Sequence, residues 1–174
     1  MVGPFTSGGA LTQAFTYFAV AKLDAGAVND NKLHYICDGD DNTNRAILRQ
    51  TDLPTPDAWN MWSGTNLTGG DSDGNWNIWT AVFNGNSSAF WLNGGLEASG
   101  AAGALEPDGL TAGAAYGGIA GWWEGDIAEI IIYDSELSDA DKDEVGQYLA
   151  ARYNLTYTNI SVTTSTSTTT TTTT

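Results

Sequence analysis

Hydrophobic positions along the first 134 residues fall in short runs separated by Gly, Asn and Asp, a pattern of strands and turns and not of long helices. The runs predict strands at 14–23, 31–38, 44–50, 58–63, 76–84, 87–92, 109–113 and 125–134. Asn84-Gly85 followed by Asn86, between two aromatic runs, predicts a hairpin, because its turn needs φ > 0 and Asn and Gly tolerate that. Asn93-Gly94-Gly95 predicts another turn. In 76–84 both strand faces are apolar: Trp76, Ile78, Thr80 and Val82 share one, Trp79, Ala81 and Phe83 the other. Such a strand needs cover on both sides.

The period changes only near the end of the chain. Ser138 is a natural N-cap with Asp141 three residues on, and Asp139, Asp143 and Glu144 put negative charge near the positive helix end. Val145, Tyr148, Leu149 and Arg152 then form an i, i+3, i+4, i+7 stripe. The expected architecture is all-β, a two-sheet antiparallel jelly-roll sandwich with one C-terminal capping helix lying across it.

Charge narrows the list of partners. With 21 Asp and Glu against six Lys and Arg, the net charge is −15, and no basic cluster is present to meet a phosphate backbone. Nucleic acid and anionic membrane surfaces are excluded as expected partners. No segment approaches the ~20 apolar residues that span a bilayer, so no membrane insertion is expected. Residues 1–13 have neither the basic nor the apolar region of a signal peptide. That fits a piece of a longer exported protein, or one that reaches the outside by lysis as virion proteins do. The single Cys37 reads as an inert buried thiol, and alternation turns His34 to the opposite strand face. Beyond Arg152 no residue is charged, and residues 163–174 are all Thr or Ser. The expected division is a folded domain at 1–157 and a Thr/Ser-rich tail or linker at 158–174.

Three stretches carry a more specific likeness. FTYFAVAK, WTAVFNGNSSAFWLNGG and GDIAEIIIYDSELSDADKDEVGQYLAARYNL resemble the laminin G-like, concanavalin A-like jelly-roll domains of bacterial surface and phage structural proteins. The last is the most specific. A GDIAE strand ending in Tyr-Asp leads into Leu137-Ser138-Asp139-Ala140-Asp141 and then Tyr148-Leu149-Ala150-Ala151-Arg152-Tyr153, with Arg152 where the family has Lys. The resemblance spans about residues 12 to 155 and implies glycan binding or adhesion, outside the cell, on its surface or on a virion. Such domains begin with a further strand that this sequence lacks room for, so one sheet edge is expected to be open or completed by a neighbouring chain, through its Thr-rich tail for example. That gives a second reading: a structural subunit of a capsid, tail or filament, in a homo-oligomer or larger assembly.

The candidate chemistry follows from three clusters. Glu124-x-Asp126-x-x-Glu129 resembles the carboxylate motif of jelly-roll β-glucanases, which act with two carboxyls ~5–5.5 Å apart. A regular strand puts Glu129 on the far side from the other two, so a non-catalytic domain is expected. Asp71, Asp73 and Asn75 place oxygen at alternate positions, as a calcium loop does, and Asp38, Asp40 and Asp41 form a second acidic loop. Turns need the same residues without any metal. Trp59, Trp62 and Trp122 lie near turns or strand ends, where an aromatic face can stack on a sugar while Asp126 accepts hydroxyl protons; these four are the expected carbohydrate-binding residues.

Overall fold

All eight runs expected as strands form, and three more join them. The computed structural model describes residues 1–5, 9–53 and 55–161. In chain order the strands are β1 (Val2–Pro4), β2 (Phe15–Leu23), β3 (His34–Asp38), β4 (Ile47–Thr51), β5 (Ala58–Trp62), β6 (Asn66–Asp71), β7 (Trp76–Phe83), β8 (Ser88–Leu92), β9 (Gly95–Gly100), β10 (Gly109–Ala112) and β11 (Gly125–Tyr133). A six-stranded sheet runs β1-β10-β3-β4-β5-β6 and a five-stranded sheet runs β11-β2-β7-β8-β9. The pairings are antiparallel, and the two sheets enclose one core in a jelly-roll sandwich. The helix α1 (Asp139–Tyr153) follows the last strand.

Strand alternation sorts the core. From β2, Phe15, Tyr17, Ala19, Ala21 and Leu23 point inward and meet Trp79, Ala81 and Phe83 of β7 and Leu48, Trp59 and Met61 of the opposite sheet. Phe15 stacks on Phe83 at 5.0 Å, and Trp79 on Phe90 at 5.6 Å. On the other face of the five-stranded sheet, Phe18, Val20 and Ile78 pack under Leu149 and Ala150 of α1. The parity read from the sequence for 76–84 holds.

Ser138 caps α1 as expected: its Oγ accepts from the Asp141 amide at 3.2 Å. The buried stripe is displaced from the expected one. Lys142, Asp143, Gly146, Leu149 and Ala150 are buried, whereas Tyr148 is 49% exposed and half-exposed Arg152 donates to the Tyr148 hydroxyl. The cause lies beyond the helix. Asn154 takes the left-handed conformation (φ 53°) and returns the chain along α1, where the Tyr157 ring passes over Gly146. A Cβ there would collide with that ring. The strap stays docked through residue 161: Thr158 donates its amide to the Asn93 carbonyl, and Asp143 accepts from the amides of Ile160 (2.6 Å) and Ser161 (3.0 Å). The expected boundary at 157/158 thus falls inside this strap, and residues 162–174, which hold most of the Thr-rich tail, lie outside the described residues.

Three further expectations change. The chain's own first residues supply an edge strand, with Val2–Pro4 pairing Thr111–Gly109. A register shift in β3 between Tyr35 and Cys37 sets both His34 and Cys37 opposite inward positions of β4, Gln50 and Leu48, so they share a face. They still serve separate places: Cys37 is wholly buried, which pushes its thiol up to about 12, and His34 turns to a surface cleft. A second shift in β11, between Ile127 and Glu129, brings Glu129 to the outer face beside Asp126.

Leu149 is fully buried between α1 and the sheet, and truncating such a side chain loses transfer free energy and leaves a cavity. Leu149→Ala is expected to lower stability by about 3 kcal/mol in urea unfolding; exposed Tyr148→Ala should cost far less.

Candidate functional site

With α1 and the strap over the five-stranded sheet, the outer face of the six-stranded sheet is the broad surface left for a ligand. Leu48, Met61 and Leu67 point inward, so their neighbours face out. The register then lines Tyr35, Arg49, Asn60 and Thr68 across β3, β4, β5 and β6. Arg49 donates to the Asn60 side-chain oxygen (3.0 Å), the Tyr35 hydroxyl (2.8 Å) and the Asn66 side-chain oxygen (2.9 Å). All three acceptors are neutral. Among the described residues no carboxylate pairs with Arg49, and two of its five N–H donors are left over.

Arg45 lies beside it, stacked against Trp62 (5.2 Å) and Tyr116 (4.5 Å). Its Nε and a terminal nitrogen donate to the two oxygens of Asp38 at 3.0 and 2.6 Å. Burial pushes the Asp38 carboxyl up, against the downward pull of Arg45 and of the Tyr116 and Gly39 amides. Beneath these side chains Ile47 is buried, with Tyr35, Ala115, Leu33, Trp62 and Tyr116 packed around it. The face is therefore a rigid aromatic floor with two guanidinium groups, one neutralised and one not. Sequence reasoning missed both arginines. Their spacing, four apart in one predicted strand of a strongly acidic chain, could have placed them on one face.

The expected sugar-binding residues scatter. Trp62 lies on this face under Arg45. Trp59 does not: it is 2% exposed, edge-on to Trp79 at 5.2 Å in the core, and closed to a ligand. Trp122 is 62% exposed at the rim of a separate cleft that shares Tyr35 with the face. Asp126 belongs to β11 opposite Lys22, on the other sheet. The glucanase-like carboxylates part as well. Glu129 accepts from the Tyr153 hydroxyl (2.8 Å) and pairs with Arg152, whereas Glu124 lines the cleft of Trp122.

The acidic loops are mostly occupied by their own turns. Both Asp73 oxygens accept from Asn75 and Asn77 amides at 2.8 to 3.0 Å, and Asp71 ends β6 opposite Ala58. Asp41 caps its loop through the Thr43 and Asn44 amides. Asp40 differs. It faces Asp108, and each keeps one buried oxygen without a donor.

The comparisons bear on fold. No protein-family model matches the chain, and no curated protein does. Solved structures do match. A putative carbohydrate binding protein from Bacteroides ovatus ATCC 8483 superposes with a TM-score of 0.64 at 19% identity, over 84% of this chain and 43% of that one. The CBM40 of the Ruminococcus gnavus IT-sialidase, bound to α2,3-sialyllactose, gives 0.56 at 15%, over 78% and 83%. The receptor binding domain of a botulinum neurotoxin C/D mosaic serotype gives 0.65 at 13%, over 87% and 40%. The chain thus spans less than half of the first and third. At these identities the likeness establishes the sandwich fold, and the chemistry must come from the residues.

Burial, then the facing Asp108 carboxyl, raises the Asp40 carboxyl above its ordinary value. A carboxyl raised in the folded state favours folding when protonated, and that contribution fades as pH climbs through the raised value. Asp40→Asn replaces two facing acceptors by a donor and an acceptor. It is expected to raise the melting temperature at pH 7 and to change it little near pH 3, as read by thermal unfolding across pH.

Proposed function

We propose that this domain is a non-catalytic glycan-binding module, and that it holds an acidic sugar on the outer face of the six-stranded sheet. The observation that carries this reading is Arg49, a guanidinium held by three neutral acceptors in a chain of net charge −15. A planar guanidinium with spare donors suits a carboxylate. Trp62 and Tyr116 supply the apolar surface on which a pyranose ring stacks, and Asn66 and Thr68, both exposed, offer hydrogen bonds to hydroxyls.

The fold neighbours support the choice of ligand class. One is a CBM40 bound to α2,3-sialyllactose and another is a neurotoxin binding domain in complex with SialylT. Display outside a cell, on its surface or on a virion, follows from such a ligand, and no helix among the described residues is long and apolar enough to cross a membrane. This reading does not require calcium: the Asp73 oxygens accept from Asn75 and Asn77, and whether they also hold a cation is a separate proposal that calcium calorimetry tests. The assembly reading has less to stand on. Val2–Pro4 supplies the strand that the sequence was expected to lack and is itself the edge of its sheet, and the tail that was to pair with a neighbour lies outside the described residues.

Titration calorimetry with α2,3-sialyllactose and with lactose tests the proposal. The sialylated sugar is expected to bind and lactose to bind at least about tenfold more weakly, since a charged hydrogen-bonded pair is lost. Arg49→Ala should abolish the difference between the two sugars and Trp62→Ala should weaken both, while Trp122→Ala leaves them unchanged. Equal affinity for both sugars in the unaltered chain, or no heat with acidic glycans of any kind, would overturn it.

A further inference from the structure

A cleft of about 330 Å³ opens beside the glycan face, between the loop leading into β3 and the segment entering β11. At its floor lies His34, 1% exposed. Its Nδ1 sits 2.9 Å from the Trp122 carbonyl, which can only accept, so Nδ1 carries a hydrogen. In a neutral ring with its hydrogen on Nδ1, the Nε2 lone pair would point at the Asp30 carboxylate, whose nearer oxygen is 3.2 Å away. Two acceptors would then face each other across a gap that a cation can fill. Glu124 supplies a third: Nε2 and one carboxylate oxygen from each acid lie within 4.8 Å of one another.

We propose that Asp30, His34 and Glu124 bind a divalent transition-metal ion of the zinc type. An imidazole nitrogen with two carboxylates suits zinc and its neighbours, whereas calcium takes oxygen. Tetrahedral bonds of ~2.0–2.1 Å set ligand atoms ~3.3 Å apart, which the Nε2 to Asp30 distance already matches. Glu124, 55% exposed at its side chain, needs only to rotate inward. The backbone carbonyl that fixes the Nδ1 hydrogen is the outer partner that ligating histidines ordinarily have. Asn29 and Asn31, both left-handed (φ 57°), hold the loop on either side of Asp30, and its carboxylate is further fixed by the Lys32 amide at 3.0 Å.

Among the described residues Lys32 reaches into the gap, its ammonium 2.7 Å from Asp30 and 3.9 Å from Glu124. Its side chain is 62% exposed and can swing into solvent, so it acts as the ion's competitor and not as a wall. A metal with three protein ligands keeps a fourth position open, and it would tie the loop around Asp30 to the segment around Glu124.

The test is calorimetric titration of zinc chloride into the whole chain after chelator treatment, with melting temperature as a second readout. One equivalent of zinc is expected to bind and to raise the melting temperature, and calcium chloride to do neither. His34→Asn and Glu124→Gln should each weaken zinc at least about tenfold, and Lys32→Ala should tighten it. Glu124 is exposed, so Glu124→Gln decides the matter even where His34→Asn fails to fold. Absence of zinc binding in the unaltered chain, leaving a proton on Nε2 to meet Asp30, would overturn the proposal. So would zinc binding that Glu124→Gln leaves unchanged.

Discussion

The double-sided burial of β2 is the constraint from which the rest of the molecule follows. A strand that presents Phe15, Tyr17, Ala19, Ala21 and Leu23 to one side and Phe18 and Val20 to the other cannot leave either face in water. The first side is met by the opposite sheet. The second has to be met by something outside the sandwich, and α1 with its returning strap is that cover. Once the five-stranded sheet is closed on both sides, the six-stranded sheet alone retains an open face. The location of the proposed binding surface is therefore decided by a strand that contributes no residue to it.

That open face is unusual in its electrostatics. Most of the acidic groups lie in loops and on the helix, while two of the six basic residues converge on one patch with aromatic rings beneath them. Asp38 neutralises Arg45 and fixes it between Trp62 and Tyr116, which builds a flat floor. Arg49 is held by neutral oxygens that orient its plane without cancelling its charge. A guanidinium prearranged this way loses little rotational freedom when an anion arrives.

Much of the fold was legible because strand and helix periods are local properties. The runs 14–23, 76–84 and 125–134, the Ser138 cap and the two faces of 76–84 could be read directly. The strands that escaped, Val2–Pro4, Asn66–Asp71 and Gly95–Gly100, are short or rich in Gly and polar residues, and exist because a neighbouring strand offers its backbone. The site was less legible for a related reason. Tyr35, Arg49, Asn60 and Thr68 come from four strands and meet only through register, and the shift after Tyr35 reverses the parity that a regular strand gives His34 and Cys37. Trp59 and Trp62 stand three apart and look alike in sequence, yet alternation sends one to the core and the other to the surface.

The strap from Asn154 to Ser161 also sets an orientation. It runs along the helix side of the molecule and ends at Ser161, bonded to Asp143. Ser161 therefore lies on the side of the sandwich opposite Arg49 and Trp62. Because Asp143 clamps Ile160 and Ser161, a pull applied at Ser161 would load the helix before it reached the sheet that carries the arginines.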